Sequence, residues 1–549
     1  MKDCRTADHI FTLKTIIDTY RKRKKQNLYM CFVDFRKAFD TVWHTGLFHK
    51  LHKFGISGKF YEIIKNMYSK ITLRVKTEDG LTPPLTSQIG VRQGDILSPL
   101  LFNIYVNDIT DILTSPESDL VALNGSVIPC LMYADDIVLI SSSRAGLQQQ
   151  LDTLHKYCSQ WHLDVNTTKT KCLVISGKTQ NIQFTYGDNT IDQVTSFPYL
   201  GIVINTKGDF KDNAHRLSNK SLRALYKLNK SLSKTNIKAK EILHIYDHTV
   251  KPILLYGSEV TNIFNPIRKR ISPFEDFTCT SNLEKSHKNI MRRILWLNNR
   301  TSLDALYSEF GRYPIYIEIV GRMLKYERRL ISSDPSSLVH NAYSESKNLA
   351  ELSNTSWVAC VKYIKNVLNV RDSNSKFNSS GIRKAVLKMQ DRFVTQWKIR
   401  LFNDQRRNKS EGNKLRTFRK FKNIFKFEPY INLISNTIDR ANFCKFRISA
   451  HKLNIELGRH SGMALDRRLC NKCNRQEIED ELHAFMFCPA YDIHRQALFR
   501  FVSAQNINFK TLDAGQQFIW LMANEEYTIL TKVTKFITHI LSPASPGAG

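Results

Sequence analysis

Three carboxylates sit where apolar, β-rich sequence makes a charge expensive. Asp34 lies inside the run Tyr29–Phe35 (YMCFVDF). Asp135 and Asp136 stand side by side in residues 126–141 (SVIPCLMYADDIVLIS), which reads as two apolar strands meeting at a polar knot. A charge in such a setting is costly unless it is paired or binds a metal. Adjacent carboxylates also repel, and a hard divalent cation relieves that repulsion. Three carboxylates from two strands suit a pair of Mg²⁺ ions, which take oxygen ligands and keep some waters. Such a pair, about 3.5–4 Å apart, fits phosphoryl transfer. An isolated Asp-Asp is more simply a turn. Tyr133-Ala134 before it and Ile137-Val138-Leu139-Ile140 after it reverse that preference.

The surrounding sequence is mixed α/β up to about residue 210. Helical spacing is expected at 7–20, 44–54, 59–69, 96–113 and 144–160. Strands are expected at 171–176, 182–187 and 196–204, with a hairpin at 70–91 around Asp79-Gly80. Beyond 210 the chain turns Lys-rich and helical. Residues 266–287 and 331–356 read as linkers, 403–414 as loop, and the residues after Leu541 as a frayed tail. The 549 residues suffice for several cores. With 81 Lys+Arg against 50 Asp+Glu, the net charge of +31 points to a polyanionic partner. An apolar content of 42% excludes a mainly disordered chain. No apolar run approaches the roughly 18–20 residues of a membrane span, and no secretion signal follows Met1.

Eight of the eleven cysteines are scattered. The other three form C-x2-C-x9-H-x4-C with a histidine: Cys470, Cys473, His483 and Cys488. This spacing and its soft ligands suit one tetrahedral, structural Zn²⁺. The alternative is three buried thiols and a satisfied core histidine. The acidic run 477–481 argues against that loop gripping phosphate. In residues 406–430, Phe418, Phe421 and Phe425 share one helical face, which is expected to be core with the basic face turned outward. Arg21–Lys25 is a nuclear localisation signal, a phosphate contact or a solvated run.

Tyr133-Ala134-Asp135-Asp136 resembles the signature of reverse transcriptases. The first palm motif is matched by Asp34-Phe35-Arg36-Lys37-Ala38-Phe39-Asp40, and the next by Arg92-Gln93-Gly94-Asp95 through Phe102. Asn166–Thr170 and Phe197-Pro198-Tyr199-Leu200-Gly201 resemble the two motifs that follow. The set resembles a non-LTR (LINE-type) retrotransposon polymerase of the jockey-like and chicken-repeat-like branches. Tyr256–Glu259 and the Cys/His region resemble that group too. The resemblance implies that Asp34, Asp135 and Asp136 bind two catalytic Mg²⁺. It makes Phe39 a steric gate under the sugar, although core packing is the alternative. Gln93, Gly94 and Arg92 would touch nucleotide or template-primer. Lys169 would neutralise or protonate pyrophosphate, or be a plain surface lysine. Tyr199, Leu200 and Gly201 would grip the primer, or be an ordinary turn.

The implied fold is an α/β (α+β) right-hand polymerase palm with partial fingers at 1–210. A helical thumb at 211–310 and a basic helical linker at 311–440 follow. A zinc-knuckle region at 441–510 and a C-terminal helix with tail at 511–549 complete it. The implied reaction is RNA-directed DNA polymerisation from dNTPs at a primer 3′-OH. The expected partners are an RNA template, a DNA primer or target and an element-encoded RNA-binding protein. The expected setting is the nucleus or a cytoplasmic ribonucleoprotein. The family carries more sequence ahead of the first palm carboxylate, so a 5′-truncated chain is expected. Two alternatives stay open: an inactive polymerase acting only as an RNA/DNA-binding module, and a group II intron maturase-like protein.

Overall fold

A computed structural model describes residues 5–69, 71–78, 80–115, 119–176, 182–232, 237–261, 272–354, 356–370, 379–402 and 415–542. Two compact units emerge, each drawn from separated stretches. The first comprises Met1–Arg216, Gly257–Pro273 and Arg322–Ser375. The second comprises Leu217–Tyr256, Phe274–Gly321 and Lys376–Gly549.

The first unit is built on a four-stranded antiparallel sheet. Its strands are β1 (Leu28–Val33), β2 (Cys130–Tyr133), β3 (Asp136–Ser141) and β4 (Lys171–Ile175), in the order β4-β1-β3-β2. Helices 44–53, 58–69 and 98–106 lie between β1 and β2, and a helix over Arg144–Gln160 connects β3 to β4. The result is a β-α-β-β-α-β arrangement. β1 is buried on both faces, as its unbroken apolar run requires. One face, with Cys31, Val33, Ile137 and Leu139, joins a core with Leu147, Leu151 and Leu154 of the connecting helix. On the other, Phe32 stacks on Phe197 at 4.4 Å. The hairpin expected at 70–91 forms, with 71–73 paired to 85–87 and 76–77 paired to 80–81; Asp79 lies outside the described residues. The expected helix 96–113 is two helices, 98–106 and 109–113. Asp108 stands at the break, where it accepts from Lys50 (2.6 Å) and Tyr157 (2.7 Å).

Within the same unit, α1 (Thr6–Asp18) packs with α2 (Tyr316–Ile331, from Arg322 onward), α3 (Leu338–Leu352) and α4 (Trp357–Val367). This corrects the linker reading of 331–356. Ala342, Tyr343 and Leu349 of α3 are buried, and Ser337 and Ser356 cap their helices as the sequence spacing allows. Residues 282–287 of the other expected linker belong to the helix Asn282–Ile294, with Leu283 and His287 buried.

The second unit is helical, and its core holds charge. Arg447, 2% exposed in its side chain, donates to Glu309 (3.0 Å), Glu428 (2.9 Å) and the Met522 carbonyl. Lys422, also buried, pairs with the same Glu428. This corrects the outward basic face expected in 406–430 at Lys422 and Arg416, while Phe418 is buried as expected and Lys420 and Lys426 are exposed. Arg416 is tied to Glu456 (2.9 Å) and Glu481 (2.6 Å), and Lys426 to Glu525 (2.6 Å). The helix covers only Phe418–Phe421, and Phe425 lies against Tyr313, Phe393 and Trp397 outside it. Arg406, Arg407, Lys409 and Lys414 lie outside the described residues. Truncating Arg447 leaves buried Glu309 without its cation and Glu428 with Lys422 alone. Arg447→Ala is therefore expected to lower stability by about 3–5 kcal/mol, read as a shift of the denaturant midpoint of the second unit's transition.

Candidate catalytic carboxylates and the Cys/His centre

The sheet register gathers the three carboxylates. β1 and β3 pair with Val33 opposite Ile137, so one step further Asp34 lies opposite Asp136. Val33 and Ile137 face the core, and Asp34 and Asp136 therefore share the other face. Tyr133 pairs with Asp136 across a two-residue turn, Ala134-Asp135. Ala134 has φ +53°, a left-handed conformation that costs a non-glycine residue about 1–2 kcal/mol. The carboxyl of Asp136 is raised, first by partial desolvation and then by the charges of Asp135 and Asp34. A divalent cation answers that electrostatic demand.

Asp34 is pinned from a second direction. Its N–H donates to Thr170 Oγ1 (3.2 Å), and its carbonyl accepts from Asn166 N (2.7 Å). Phe35 bridges to Val165. This ties residues 164–170 beside the sheet and sets Lys169 Nζ 3.7 Å from Asp34 Oδ2, with the lysine side chain 69% exposed.

The turn at 90–97 is held against the loop after β1. Gly90 N donates to the Val42 carbonyl (2.8 Å) and Val91 N to that of Phe39 (2.7 Å). A Cβ at Gly90 would lie 2.9 Å from the Asp40 carbonyl, so only glycine fits. Gln93 donates to Asp40 Oδ1 (2.7 Å), Arg92 to the Met67 carbonyl (3.3 Å), and Ser98 Oγ to the Arg92 carbonyl (2.6 Å). Gly94 has φ +87° and open space around it. Phe39 is half-buried, its ring stacked on Phe102 at 4.9 Å. The strands Ser196–Tyr199 and Ile202–Asn205 meet at Leu200-Gly201, with φ +44° and +78°, the twist of a tight hairpin turn. Arg216 donates to the Gly201 carbonyl (2.9 Å). Tyr199 is buried against Phe32, so its ring anchors the turn from below. Asp40, Asn166 and Thr170, inside the matched motifs but given no role of their own there, and Gly90, outside them, thus position this region. Gly90 carried a readable signal, as a glycine just ahead of the motif that starts at Arg92.

The Cys/His residues form a second centre, in the second unit. Cys470, Cys473, His483 and Cys488 bring their ligand atoms within 4.8 Å of one another. A short ladder carries the first two: Cys470 N donates to the Glu477 carbonyl (2.8 Å) and Glu479 N to that of Arg468 (2.9 Å). A single helical turn carries the others, closed by Cys488 N on the His483 carbonyl (2.8 Å). His483 Nε2 faces Cys473 Sγ at 3.5 Å, while Nδ1 faces Glu477 Oε2 at 2.6 Å. That is how a carboxylate orients a metal-binding imidazole. Burial first, with the neighbouring Cys488 and Cys473, pushes the Cys470 thiol up to about 12. The acidic run is used internally. Glu481 accepts from Arg416, Ser449 (2.8 Å) and His451 (2.9 Å); burial alone would raise it, but His451 and Arg416 outweigh burial and bring it down to about 2. Asp480 caps His483 N (2.7 Å). In the run 21–25, Arg23 pairs with Glu345 (2.7 Å) and Lys22 with Asp18 (3.0 Å).

Carboxylates gather at one end of an antiparallel β-α-β-β-α-β sheet, with a glycine turn and a hairpin around them, an arrangement that fits the palm of a polymerase. Residues 3–204 match the family described as reverse transcriptase (RNA-dependent DNA polymerase). The "Probable RNA-directed DNA polymerase from transposon BS" of Drosophila melanogaster is 30% identical over 251 residues, 42% of this chain and 26% of that protein. The type-1 retrotransposable element R2 Pol polyprotein of Nasonia vitripennis is 33% identical over 216 residues, 37% of this chain and 20% of that one. The mobile element jockey polymerase of Drosophila funebris is 25% identical over 257 residues, 44% and 26% respectively. The matched region spans about a quarter or less of these relatives' length. Residues 3–204 therefore form a reverse transcriptase domain, similar to those of non-LTR (LINE-type) retrotransposon polymerases. Among the described residues, no helix is long and apolar enough to cross a membrane.

Proposed function

We propose that this chain is an RNA-directed DNA polymerase, joining a primer 3′-OH to the α-phosphate of a dNTP on an RNA template. The observation that carries the reading is the meeting of Asp34, Asp135 and Asp136 at one end of the sheet, inside the stretch that matches the reverse transcriptase family. These three carboxylates suit two Mg²⁺ ions, which when bound would activate the attacking oxygen and neutralise charge on the phosphates. The chain's own residues do the rest. Lys169, beside Asp34, supplies positive charge or a proton to the leaving pyrophosphate. Gln93 and Gly94, on a turn fixed by Asp40, border the incoming nucleotide and the template strand. Arg92 holds the start of that turn. Leu200-Gly201 bears on the primer end, with Tyr199 beneath. The experiment that tests the reading is Mg²⁺-dependent primer extension on RNA by the purified chain.

Phe39 is the proposed sugar gate. Its ring, fixed by Phe102, would fill the space a 2′-OH needs. Phe39→Val is expected to raise the ratio of ribo- to deoxynucleotide incorporation about 10- to 100-fold, measured by single-nucleotide extension with matched rNTP and dNTP. An unchanged ratio assigns Phe39 to core packing alone.

Helices within 211–310 act as thumb, and the basic helical region of 311–440 supports nucleic-acid binding, with a net charge of +31 favouring a polyanion. The Cys/His centre binds one structural Zn²⁺, its four protein ligands leaving no open position. An element-encoded RNA-binding protein, a DNA target and a nuclear or ribonucleoprotein setting complete the reading.

A further inference from the structure

α1 is buried on every side, although it carries Asp8, His9, Thr12, Thr15 and Asp18. A helix surrounded in this way needs a polar partner for each such group. Thr12 and Thr15 donate to the Asp8 and Phe11 carbonyls of the helix itself, and Asp18 pairs with Lys14 and Lys22. The side chains that hold Asp8, however, come from a stretch more than 300 residues downstream, outside the region that matches the family. Asp8 accepts from Arg329 Nη2 (2.8 Å) and Tyr326 OH (3.0 Å), both on α2. Phe11 meets Tyr326 and Trp357 edge-on at 5.7 and 5.2 Å, and these two rings meet each other at 5.8 Å. Trp357 Nε1 donates to the Glu259 carbonyl (2.9 Å). Lys365 and Glu327 form a buried pair at 2.7 Å that ties α4 to α2. Glu345 of α3 holds Arg23 just after α1.

The other side of α1 meets the catalytic turn. His9 sits edge-on against Tyr133 at 5.3 Å, and Tyr133 immediately precedes the left-handed Ala134 and the Asp135-Asp136 pair. The same downstream helices also reach the hairpin that feeds β2. Asn341 donates to Ser126 Oγ (2.9 Å), while Ala122 N donates to Tyr20 OH (3.1 Å). A non-glycine residue held at positive φ persists only where its surroundings over-determine it. Here those surroundings are Tyr133, α1 and the helices behind it.

Resting on the polymerase reading, we infer that residues 322–367 are a working part of the catalytic centre: they brace α1, which through His9 and Tyr133 sets the Asp135-Asp136 turn, and Asp8 and Arg329 are positioning residues. The chain of contacts is contiguous and each link is a specific polar or ring contact. A displacement of about 1 Å at such a centre is worth about 10²-fold in rate. The brace therefore acts on turnover and leaves nucleotide affinity nearly untouched.

The test compares Arg329→Ala, Arg329→Lys, Tyr326→Phe and Asp8→Asn in the full chain, with Tm measured beside single-nucleotide kcat and KM. Well below Tm, Arg329→Ala is expected to lower kcat about 10- to 100-fold with KM for dNTP changed less than about threefold. Arg329→Lys should recover most of kcat, and Asp8→Asn with Arg329→Ala should lose no more than either alone. Tyr326→Phe removes one hydroxyl only and keeps the test open should Arg329→Ala fold poorly. Amide hydrogen exchange supplies a readout without activity: Arg329→Ala should speed exchange at residues 131–138 and spare the 196–205 hairpin. A fall in Tm with kcat unchanged overturns the inference, as does uniform exchange. Where the parent chain extends no primer, the polymerase reading fails and exchange alone decides the brace.

Discussion

Asp135→Asn should reduce primer extension by at least about 10³-fold, roughly 4 kcal/mol of barrier at 1.36 kcal/mol per decade, while leaving Tm unchanged or higher. The two halves of this expectation have one cause. Asp135 is exposed on a two-residue turn and supports no buried contact. What it contributes to the apo chain is repulsion, since its charge and that of Asp34 raise Asp136 further above the ordinary carboxylate value. For an acid whose folded pKa is raised, stability is fully present at low pH and is lost as pH rises through the folded value. The repulsion at Asp136 therefore costs stability as pH rises, and removing one neighbouring charge recovers part of it. Mg²⁺ should stabilise the parent chain by ligand linkage and stabilise Asp135→Asn much less. A thermal melt with and without Mg²⁺ checks this beside the activity assay. A large drop in Tm for the variant would mean that Asp135 is a structural residue.

Loss of the Cys/His centre should be the larger stability effect. Cys488→Ser is expected to destabilise the second unit by about 4–5 kcal/mol, at the upper end of single-substitution effects, where loss of a metal site belongs. A zinc chelator should do the same to the parent and nothing further to the variant. Without a metal, burial and neighbouring sulfurs hold the Cys470 thiol at about 12. Binding Zn²⁺ must then expel protons, so zinc affinity should fall as pH falls. Glu477→Gln keeps all four ligands but removes the carboxylate on His483 Nδ1, and should weaken zinc about 10- to 100-fold. Competition against a chromophoric chelator measures it. A purified chain without zinc, whose melt no chelator alters, would leave only three thiols, two of them buried, and a histidine.

The palm was legible because its chemistry sits against the grain of its surroundings. Asp34, Asp135 and Asp136 stand out in apolar strands, and the helix expected at 144–160 is the helix found. The Cys/His group was readable because ligand spacing is local. Long-range pairing was not readable. Asp8 looks like any first-turn acid, and nothing near it announces Arg329, 321 residues away. Lys422 and Arg416 sit in a basic run that reads as solvated, yet each has carboxylates supplied by other segments. The three phenylalanines at 418, 421 and 425 kept helical spacing, but only Phe418–Phe421 are helical, and Phe425 packs among rings from distant helices.

The measurement that bears most directly on the central claim is extension of a labelled DNA primer on an RNA template. It uses the purified chain, Mg²⁺ and four dNTPs, with Asp135→Asn alongside. Template-directed extension by the parent should need Mg²⁺ and disappear in the variant. RNA binding that survives in both, with no extension by the parent at any Mg²⁺ concentration, would rule out the polymerase and leave a nucleic-acid-binding module.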